Sequence, residues 1–142
     1  MVSFLPISIL VVFRIRDNQV EVFMQKRSEN GPLNGLWEFP GGKVAGDESS
    51  EAAALREFSE EVEVISGTCQ KFKFYKYDYS DRSVCLFVNI MRVEDNDFCK
   101  GSWHLLPKEF STGCWEGKVP AGNIEILKDL TYYLYKTSGK TF

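Results

Sequence analysis

The chain has 142 residues, of which 44% are hydrophobic and 14% aromatic. This is enough for one domain with a buried core over residues 1–142, and it excludes an intrinsically disordered chain. With 17 Lys and Arg against 20 Asp and Glu the formal net charge is -3, so no broad basic surface is expected to bind duplex nucleic acid through its phosphates.

The cysteines and the N-terminus indicate the cellular compartment. The four cysteines lie far apart without a CxxC pair, and His104 is the single histidine, so a zinc site is not expected. The N-terminus has no basic segment followed by a cleavage site, and the apolar stretch Phe4–Phe13 is too short to span a bilayer. We therefore expect a cytoplasmic protein with reduced thiols and no membrane attachment.

Apolar and β-branched runs predict the strands. Residues Ile7–Phe13 and Val20–Gln25 flank the turn-forming pair Asp17-Asn18 and predict a hairpin. The polar segment Ser28–Gly35 contains Gly-Pro and Asn-Gly pairs and predicts a loop. Aromatic and β-branched residues predict three further strands over residues 71–79, 83–93 and 101–106.

Two segments have the period of an amphipathic helix. In residues 49–62 the apolar residues recur at spacings of three and four: Ala52, Leu55, Phe58 and Val62. A second helix, over about 122–136 and after Pro120, carries an apolar stripe of Ile124, Leu127, Leu130 or Thr131, and Leu134. The order strand-strand-helix-strand-strand-strand-helix predicts an α/β or α+β sandwich in which helices cover a mixed sheet.

Glu57, Glu60 and Glu61 share one face of the first predicted helix. Like charges at this spacing destabilise an isolated helix by roughly a few tenths of a kcal/mol per pair. A divalent cation would reverse that repulsion, and carboxylate oxygens suit Mg²⁺ or Mn²⁺. Arg56 is placed to orient one of these carboxylates as a forked donor. Taken alone, the acidic run also fits an ordinary solvated helix face.

A longer pattern favours the metal site. Gly42 is followed after five residues by Glu48, and seven residues later by the segment Arg56–Val64, which reads REFSEEVEV. This spacing resembles the Nudix box, with six residues of fixed identity in register: Gly42, Glu48, Arg56, Glu57, Glu60 and Glu61. Glu63 stands where the family usually has Gly at the helix end, and Phe58 is larger than the usual aliphatic residue.

The resemblance implies a Nudix-type α/β/α sandwich, with a catalytic helix over about 49–62 and a C-terminal helix over about 122–136. It also implies that Glu57, Glu60 and Glu61 bind Mg²⁺, or Mn²⁺ in its place, with the Gly41 carbonyl as a further ligand. In the same reading Arg56 and Glu48 orient the cluster, and Glu57, Glu60 and Arg56 are the catalytic residues. The implied reaction is attack of water on a phosphorus atom of a nucleoside diphosphate linked to a further group.

Two segments outside the box resemble MutT-type members of the family, which hydrolyse nucleoside triphosphates such as oxidised dGTP. They are Leu36–Lys43 and Val119–Asn123, the latter with a one-residue gap in a Pro-Ala-Asn pattern whose Asn reads a purine edge. The resemblance implies that Asn123 contacts the base, that Phe39 lines the pocket and that Arg27 reaches a phosphate. An equal alternative for Asn123 is a helix N-cap.

One departure leaves the general base open. MutT-type proteins place a further Glu just before a Trp in a later loop, whereas Ser102 precedes Trp103 here. Glu57 or another acidic residue must then accept the proton of the attacking water, the other candidates being Glu94, Asp95, Asp97 and Glu116.

Alternative functions remain at this level. The same chemistry on nucleoside diphosphate sugars or on triphosphorylated RNA 5′ ends is the runner-up. A nucleotide-binding module without catalysis is a different class, and the intact Arg56-Glu57 and Glu60-Glu61 pairs argue against it. The sequence makes no prediction about the oligomeric state.

Overall fold

The protein is described from a computed structural model, covering residues 4–28, 30–94 and 96–141 without the side chains of residues 138–141. This part of the chain forms seven strands, two α-helices and one 3₁₀ helix, Thr112–Cys114. The strands are β1 (Leu5–Arg16), β2 (Gln19–Lys26), β3 (Trp37–Glu38), β4 (Gly41–Lys43), β5 (Gln70–Asp78), β6 (Ser83–Arg92) and β7 (Ser102–Leu106). The helices are α1 (Ser50–Glu61) and α2 (Gly122–Thr141).

The predicted hairpin of β1 and β2 is confirmed. Asp17 and Asn18 both have positive φ, 53° and 62°, and Arg16 pairs with Gln19 in antiparallel register. Two left-handed residues form the tight turn that matches the twist of paired strands, and Asp and Asn tolerate this conformation better than most residues.

The strands form one mixed sheet in the order β3-β2-β1-β6-β5, with β4 paired to β1 and β7 paired to β2. β1 runs parallel to β6 and antiparallel to β2 and β4. β3 and β4 were not predicted as strands, because they are two and three residues long and are too short to show a period.

The two helices cover opposite faces of the sheet. Phe58 of α1 is buried together with Leu10, Val12 and Phe23 on one face. On the other face, α2 buries its apolar stripe against alternate residues of the same strands, including Val11 and Val22. The predicted α/β/α sandwich with a mixed sheet is therefore confirmed.

The helix predictions are close in their bounds but not in every buried residue. The hydroxyl of Ser49 caps α1 by accepting a hydrogen bond from Ala52 N at 3.1 Å. Ala52 itself is exposed, whereas Ala53 and Ala54 are buried, so the predicted stripe was wrong at this residue. α2 continues beyond the predicted residue 136 to Thr141.

The end of α1 accommodates Glu63 without a left-handed residue. Val62 N donates to the Phe58 carbonyl at 2.8 Å, and the positive-φ residues near this end begin only at Gly67. The side chain of Glu63 accepts a hydrogen bond from Cys99 N at 3.3 Å. Glu63, which stands where the family pattern has a glycine, therefore takes part in a tertiary contact.

Two further features concern the helices and the cysteines of the described residues. No helix among the described residues combines the length and the apolar character needed to cross a membrane. The four cysteines, all within the described ranges, are free thiols.

Candidate active site

The acidic face of α1 lies against the short strand β4. A Cβ atom built at Gly42 would lie 2.4 Å from Cδ of Glu57 and within 2.6 Å of both its carboxylate oxygens. A Cβ at Gly41 would lie 2.3 Å from the carbonyl oxygen of Ser8. Both glycines are therefore required by close packing, and Gly42 allows the Glu57 carboxylate to rest on the strand backbone.

Arg56 holds the carboxylates on one side of this face. Its guanidinium donates to Glu48 from Nε at 3.1 Å and from Nη2 at 2.7 Å. Nη1 donates to Glu57 Oε1 at 3.0 Å and to Glu60 Oε1 at 3.2 Å, and Nη2 also reaches the Lys43 carbonyl at 3.1 Å. The hydrogen bonds that Arg56 donates to the three carboxylates, first of all to Glu48, raise the pKa of Arg56, and the bond from Arg56 lowers the pKa of Glu48.

Glu61 is held on the other side of the face. Its Oε1 accepts from Gln25 Nε2 at 2.6 Å, and its Oε2 accepts from Gly41 N at 3.1 Å. Burial, followed by the charges of Glu57 and Glu38, raises the pKa of Glu61, and the two hydrogen bonds lower it, with a net result of about 7. The charged form of this carboxylate is therefore disfavoured unless a cation lies close to it.

The donor set fits a hard divalent cation. Glu57 and Glu61 offer carboxylate oxygens against Gly41 and Gly42, and a cation would stabilise the charged form of Glu61, which burial disfavours. Within the described ranges no three His, Cys, Asp or Glu side chains converge closely enough to hold a metal ion. Arg56 donates to Glu57 and Glu60, whereas Gln25 donates to Glu61.

The predicted metal ligands differ in their position relative to Gly41 and Gly42. Glu57 and Glu61 lie on the Gly41-Gly42 side, whereas the side chain of Glu60 is 58% exposed and faces Arg56. Gly41, predicted to contribute its carbonyl, contacts Glu61 through its N–H.

A cavity of about 470 Å³ opens beside this cluster. All three residues predicted to bind substrate line it, namely Arg27, Phe39 and Asn123, and so do Gly41, Gly42 and Glu61. Arg27 forms an ion pair with Glu38, Nη1 to Oε2 at 2.5 Å. Phe39 is 3% exposed and packs in the core under α2. The geometry brings the predicted substrate residues and part of the predicted metal site to one space.

Asn123 does not cap α2. An N-cap side chain accepts a hydrogen bond from a backbone N–H in the first turn, and the Asn123 amide makes no hydrogen bond to any residue that the structure describes. Its backbone N donates to the Pro120 carbonyl at 2.8 Å, and α2 already begins at Gly122. The side chain is 7% exposed and lines the cavity, so a buried amide is available to a ligand.

The cavity also contains residues that were not among the predicted site residues. Glu38, Tyr79 and Arg82 line it. Glu38 comes from the two-residue strand β3, and the other two come from the turn between β5 and β6. The polar Ser-Asp-Arg turn that follows Tyr79 was visible in the sequence, but nothing local linked it to the acidic helix.

The candidates for the general base separate by position. Glu94, Asp97 and Glu116 are exposed and do not line the cavity, and Asp95 lies outside the described residues. Glu57 lies against Gly42, which lines the cavity. Ser102, where MutT-type proteins have Glu, places its hydroxyl 3.0 Å from Nε2 of His104.

Most of the chain is similar to a known protein family. Residues 5–115 match the family described as the NUDIX domain. The chain belongs to the NUDIX domain family. The Nudix box of Gly42–Val64 lies inside the match, whereas Asn123 lies beyond its end.

Two relatives are similar to part of this NUDIX domain. It is similar to an 8-oxo-dGTP diphosphatase of Proteus vulgaris, 36% identical over 72 residues that make up 51% of this chain and 64% of the relative. It is also similar to a CTP pyrophosphohydrolase of Escherichia coli (strain K12), 32% identical over 76 residues, 54% of this chain and 56% of the relative. The matched segments thus span less than two thirds of either relative.

A solved structure extends the likeness to nearly the whole chain. A MutT structure from work on Aliivibrio salmonicida and Vibrio cholerae is 25% identical, with a TM-score of 0.65, covering 90% of this chain and 96% of that one. The predicted resemblance to MutT-type Nudix proteins is confirmed.

Proposed function

We propose that this NUDIX domain, acting as a single domain over residues 1–142, is a Mg²⁺-dependent nucleotide pyrophosphohydrolase. It hydrolyses a nucleoside triphosphate to the monophosphate and pyrophosphate, with 8-oxo-dGTP and other purine nucleotides as the proposed substrates and Mn²⁺ able to replace Mg²⁺. One observation carries this proposal. The cavity of about 470 Å³ is lined both by proposed metal-site residues, Gly41 and Glu61, and by the proposed nucleotide residues Arg27, Phe39 and Asn123.

The lining suits a nucleotide chemically. Asn123 offers one acceptor and two donor hydrogens to a base edge, and the buried ring of Phe39 offers an apolar wall beside it. Arg27 and Arg82 bring positive charge to the same cavity, where the phosphates of a triphosphate need compensation.

The acidic cluster suits the hydrolysis. Glu57, Glu60 and Glu61 would hold Mg²⁺, and the bound ion would supply neutralisation of phosphate charge and a more acidic water. Arg56 and Glu48 keep the first two carboxylates oriented. We assign Glu57 as the general base that accepts the proton of the attacking water, because Glu57 lies against Gly42 at the cavity wall. The water oxygen bonds to phosphorus, and the P–O bond to the leaving phosphate group breaks.

One relative supports a second candidate nucleobase in the substrate, cytosine. The similar CTP pyrophosphohydrolase has an identity of 32%, close to the 36% of the similar 8-oxo-dGTP diphosphatase. Because the matched segments cover at most 64% of these relatives, similarity alone does not transfer either substrate. CTP is therefore the second candidate.

The test is a hydrolysis panel on the purified full chain. The substrates are dGTP, 8-oxo-dGTP, ATP, CTP, a nucleoside diphosphate sugar and a triphosphorylated RNA, each with Mg²⁺, with Mn²⁺ and with a chelator. We expect pyrophosphate release from the purine triphosphates that the chelator abolishes. Hydrolysis in ¹⁸O water shows from the labelled product which phosphorus is attacked. Turnover of the sugar or the RNA alone, or activity that survives chelation, would contradict the proposal.

A further inference from the structure

The first turn of α2 is tied to the end of β5 by one hydrogen bond. Gly122 N donates to the hydroxyl of Tyr79 at 3.0 Å. Gly122 is the residue before Asn123, and Tyr79 lines the same cavity as Asn123. The bond therefore connects the proposed base-contacting residue to the turn between β5 and β6.

Gly122 is required by this contact and not by its own backbone conformation. It is not among the residues with positive φ, and glycine within a helix costs roughly 0.5–1 kcal/mol relative to alanine. A Cβ at this position would lie 2.5 Å from the Tyr79 hydroxyl oxygen and 3.0 Å from Cγ of Tyr77. Alanine would force the hydroxyl away. Gly122 is also the extra residue that interrupts the Pro-Ala-Asn pattern of MutT-type proteins.

Tyr79 is itself held firmly. Its backbone N donates to the Arg82 carbonyl at 2.7 Å, and Arg82 N donates back at 3.4 Å. Its ring packs against Tyr77 with a centroid distance of 4.6 Å. Burial raises the pKa of Tyr79, so the phenol stays protonated at neutral pH. The hydroxyl is thus a fixed acceptor for the start of α2.

Asn123 depends on that support. Its amide makes no hydrogen bond to any of the described residues, so its direction is set by the helix backbone that carries it and by packing. The N-terminal turn has two backbone bonds, Asn123 N to the Pro120 carbonyl at 2.8 Å and Ile124 N to the Ala121 carbonyl at 3.2 Å, and the side-chain bond to Tyr79.

We propose that Tyr79 is a positioning residue for Asn123, and that Gly122 is the residue that lets the Tyr79 hydroxyl reach α2. Base selection by this chain then depends on the Tyr79 hydroxyl, although that hydroxyl acts through the helix. The inference rests on the proposed function, in which Asn123 contacts the base.

The test measures nucleotide binding without turnover. Dissociation constants for GMP and CMP are determined in the absence of metal for wild type, Tyr79→Phe, Asn123→Ala and the double variant. We expect Tyr79→Phe to weaken GMP about threefold to tenfold, the loss typical of one hydrogen bond, and to leave CMP within about twofold. Asn123→Ala should weaken GMP more. The double variant should bind GMP as Asn123→Ala does, since Tyr79 then has nothing to position.

Tyr77→Phe is the matched control. It removes a hydroxyl two residues before Tyr79, and that hydroxyl makes no hydrogen bond in the part of the chain that the structure describes. Its GMP and CMP affinities should equal those of wild type. The Asn123 side-chain amide signals in NMR spectra should shift in Tyr79→Phe and not in Tyr77→Phe.

Gly122→Ala provides a second route to the same interaction. We expect it to weaken GMP, and Tyr79→Phe in the same chain to restore part of the affinity because the crowded oxygen is gone. Circular dichroism and thermal melting verify that each variant is folded.

The outcomes separate the two proposals. Suppose that Asn123→Ala weakens GMP binding and spares CMP binding. If Tyr79→Phe then weakens the binding of both nucleotides equally, or if its full loss adds to that of Asn123→Ala in the double variant, the positioning role is overturned and the proposed function stands. If Asn123→Ala weakens GMP and CMP alike, Asn123 does not read the base, and both the base contact and the positioning role are overturned. Failure of nucleoside triphosphate hydrolysis in the panel overturns the proposed activity independently of these binding constants.

Discussion

Arg56 and Glu48 are joined by two hydrogen bonds, from Nε at 3.1 Å and from Nη2 at 2.7 Å, one to each carboxylate oxygen. Glu48 precedes α1 and Arg56 lies within it, so this forked pair connects the loop to the helix face. The same guanidinium reaches Glu57 and Glu60. One planar group therefore orients two of the proposed metal ligands from a fixed support.

The first prediction concerns that fork. Arg56→Lys keeps the charge but cannot donate to both oxygens of Glu48 while holding Glu57. We expect kcat to fall about 10–100-fold, as for groups that orient metal ligands. The melting temperature should change little, because the Arg56 side chain is 35% exposed and exposed ion pairs contribute little to stability. A lysine variant with wild-type kcat would show that the fork is dispensable.

The second prediction separates the metal ligands from the core. Glu60→Gln and Glu61→Gln should each lower turnover by several orders of magnitude, because each removes a proposed ligand of the ion. The free energy of unfolding of Glu61→Gln should stay within about 1 kcal/mol of wild type. The reason is that burial already disfavours the charged form of Glu61. Steady-state kinetics and urea unfolding measure the two effects, and near-normal activity of both variants would remove the metal assignment.

The third prediction uses the packing of Glu57 on β4. Gly42→Ala introduces a Cβ whose nearest neighbours would be the Glu57 carboxylate atoms at 2.4–2.6 Å, so the carboxylate must move. Because displacement of a reacting group by about 1 Å can cost about a hundredfold in rate, we expect a large loss of kcat. Gly113→Ala is the matched control, since its Cβ would meet only Ser111 Oγ at 3.7 Å. Equal kcat in the two variants would contradict the close contact.

The acidic face could be predicted from sequence because its determinants are local. Glu57, Glu60 and Glu61 lie within two turns of one helix, and helical period alone puts them on one face. Their division between Arg56 and Gln25 could not be predicted, since Gln25 reaches Glu61 from β2 through sheet pairing that no short pattern encodes.

The cavity shows the same limit. Arg27, Phe39 and Asn123 were found through resemblance, whereas the position of Glu38 and Tyr79 beside them follows only from the three-dimensional structure. Glu38 enters through the pairing of β3 with β2, where it stands opposite Gln25. Tyr79 is brought to the start of α2 by its hydrogen bond with Gly122, 43 residues away in the chain. An alternating aromatic strand has the same sequence pattern whether its last ring packs in the core or lines a cavity.

The last prediction concerns pH and stability. The His104 ring lies 4.5 Å from the Trp37 ring, centroid to centroid, and burial, followed by the charge of Lys118, lowers its pKa. The unfolded chain, with a His pKa of about 6.5, therefore binds the proton more readily than the folded one. The stability contributed by neutral His104 is present above that value and is lost as pH falls through the lower folded-state pKa.

Urea unfolding at about pH 7.5 and about pH 5.5 should show a smaller loss of unfolding free energy at the acid pH for His104→Gln than for wild type. The difference should be about 1 kcal/mol or less, because the ring is only half buried and solvent screens its charge. Identical pH slopes for the two proteins would mean that His104 titrates alike in the folded and unfolded chains.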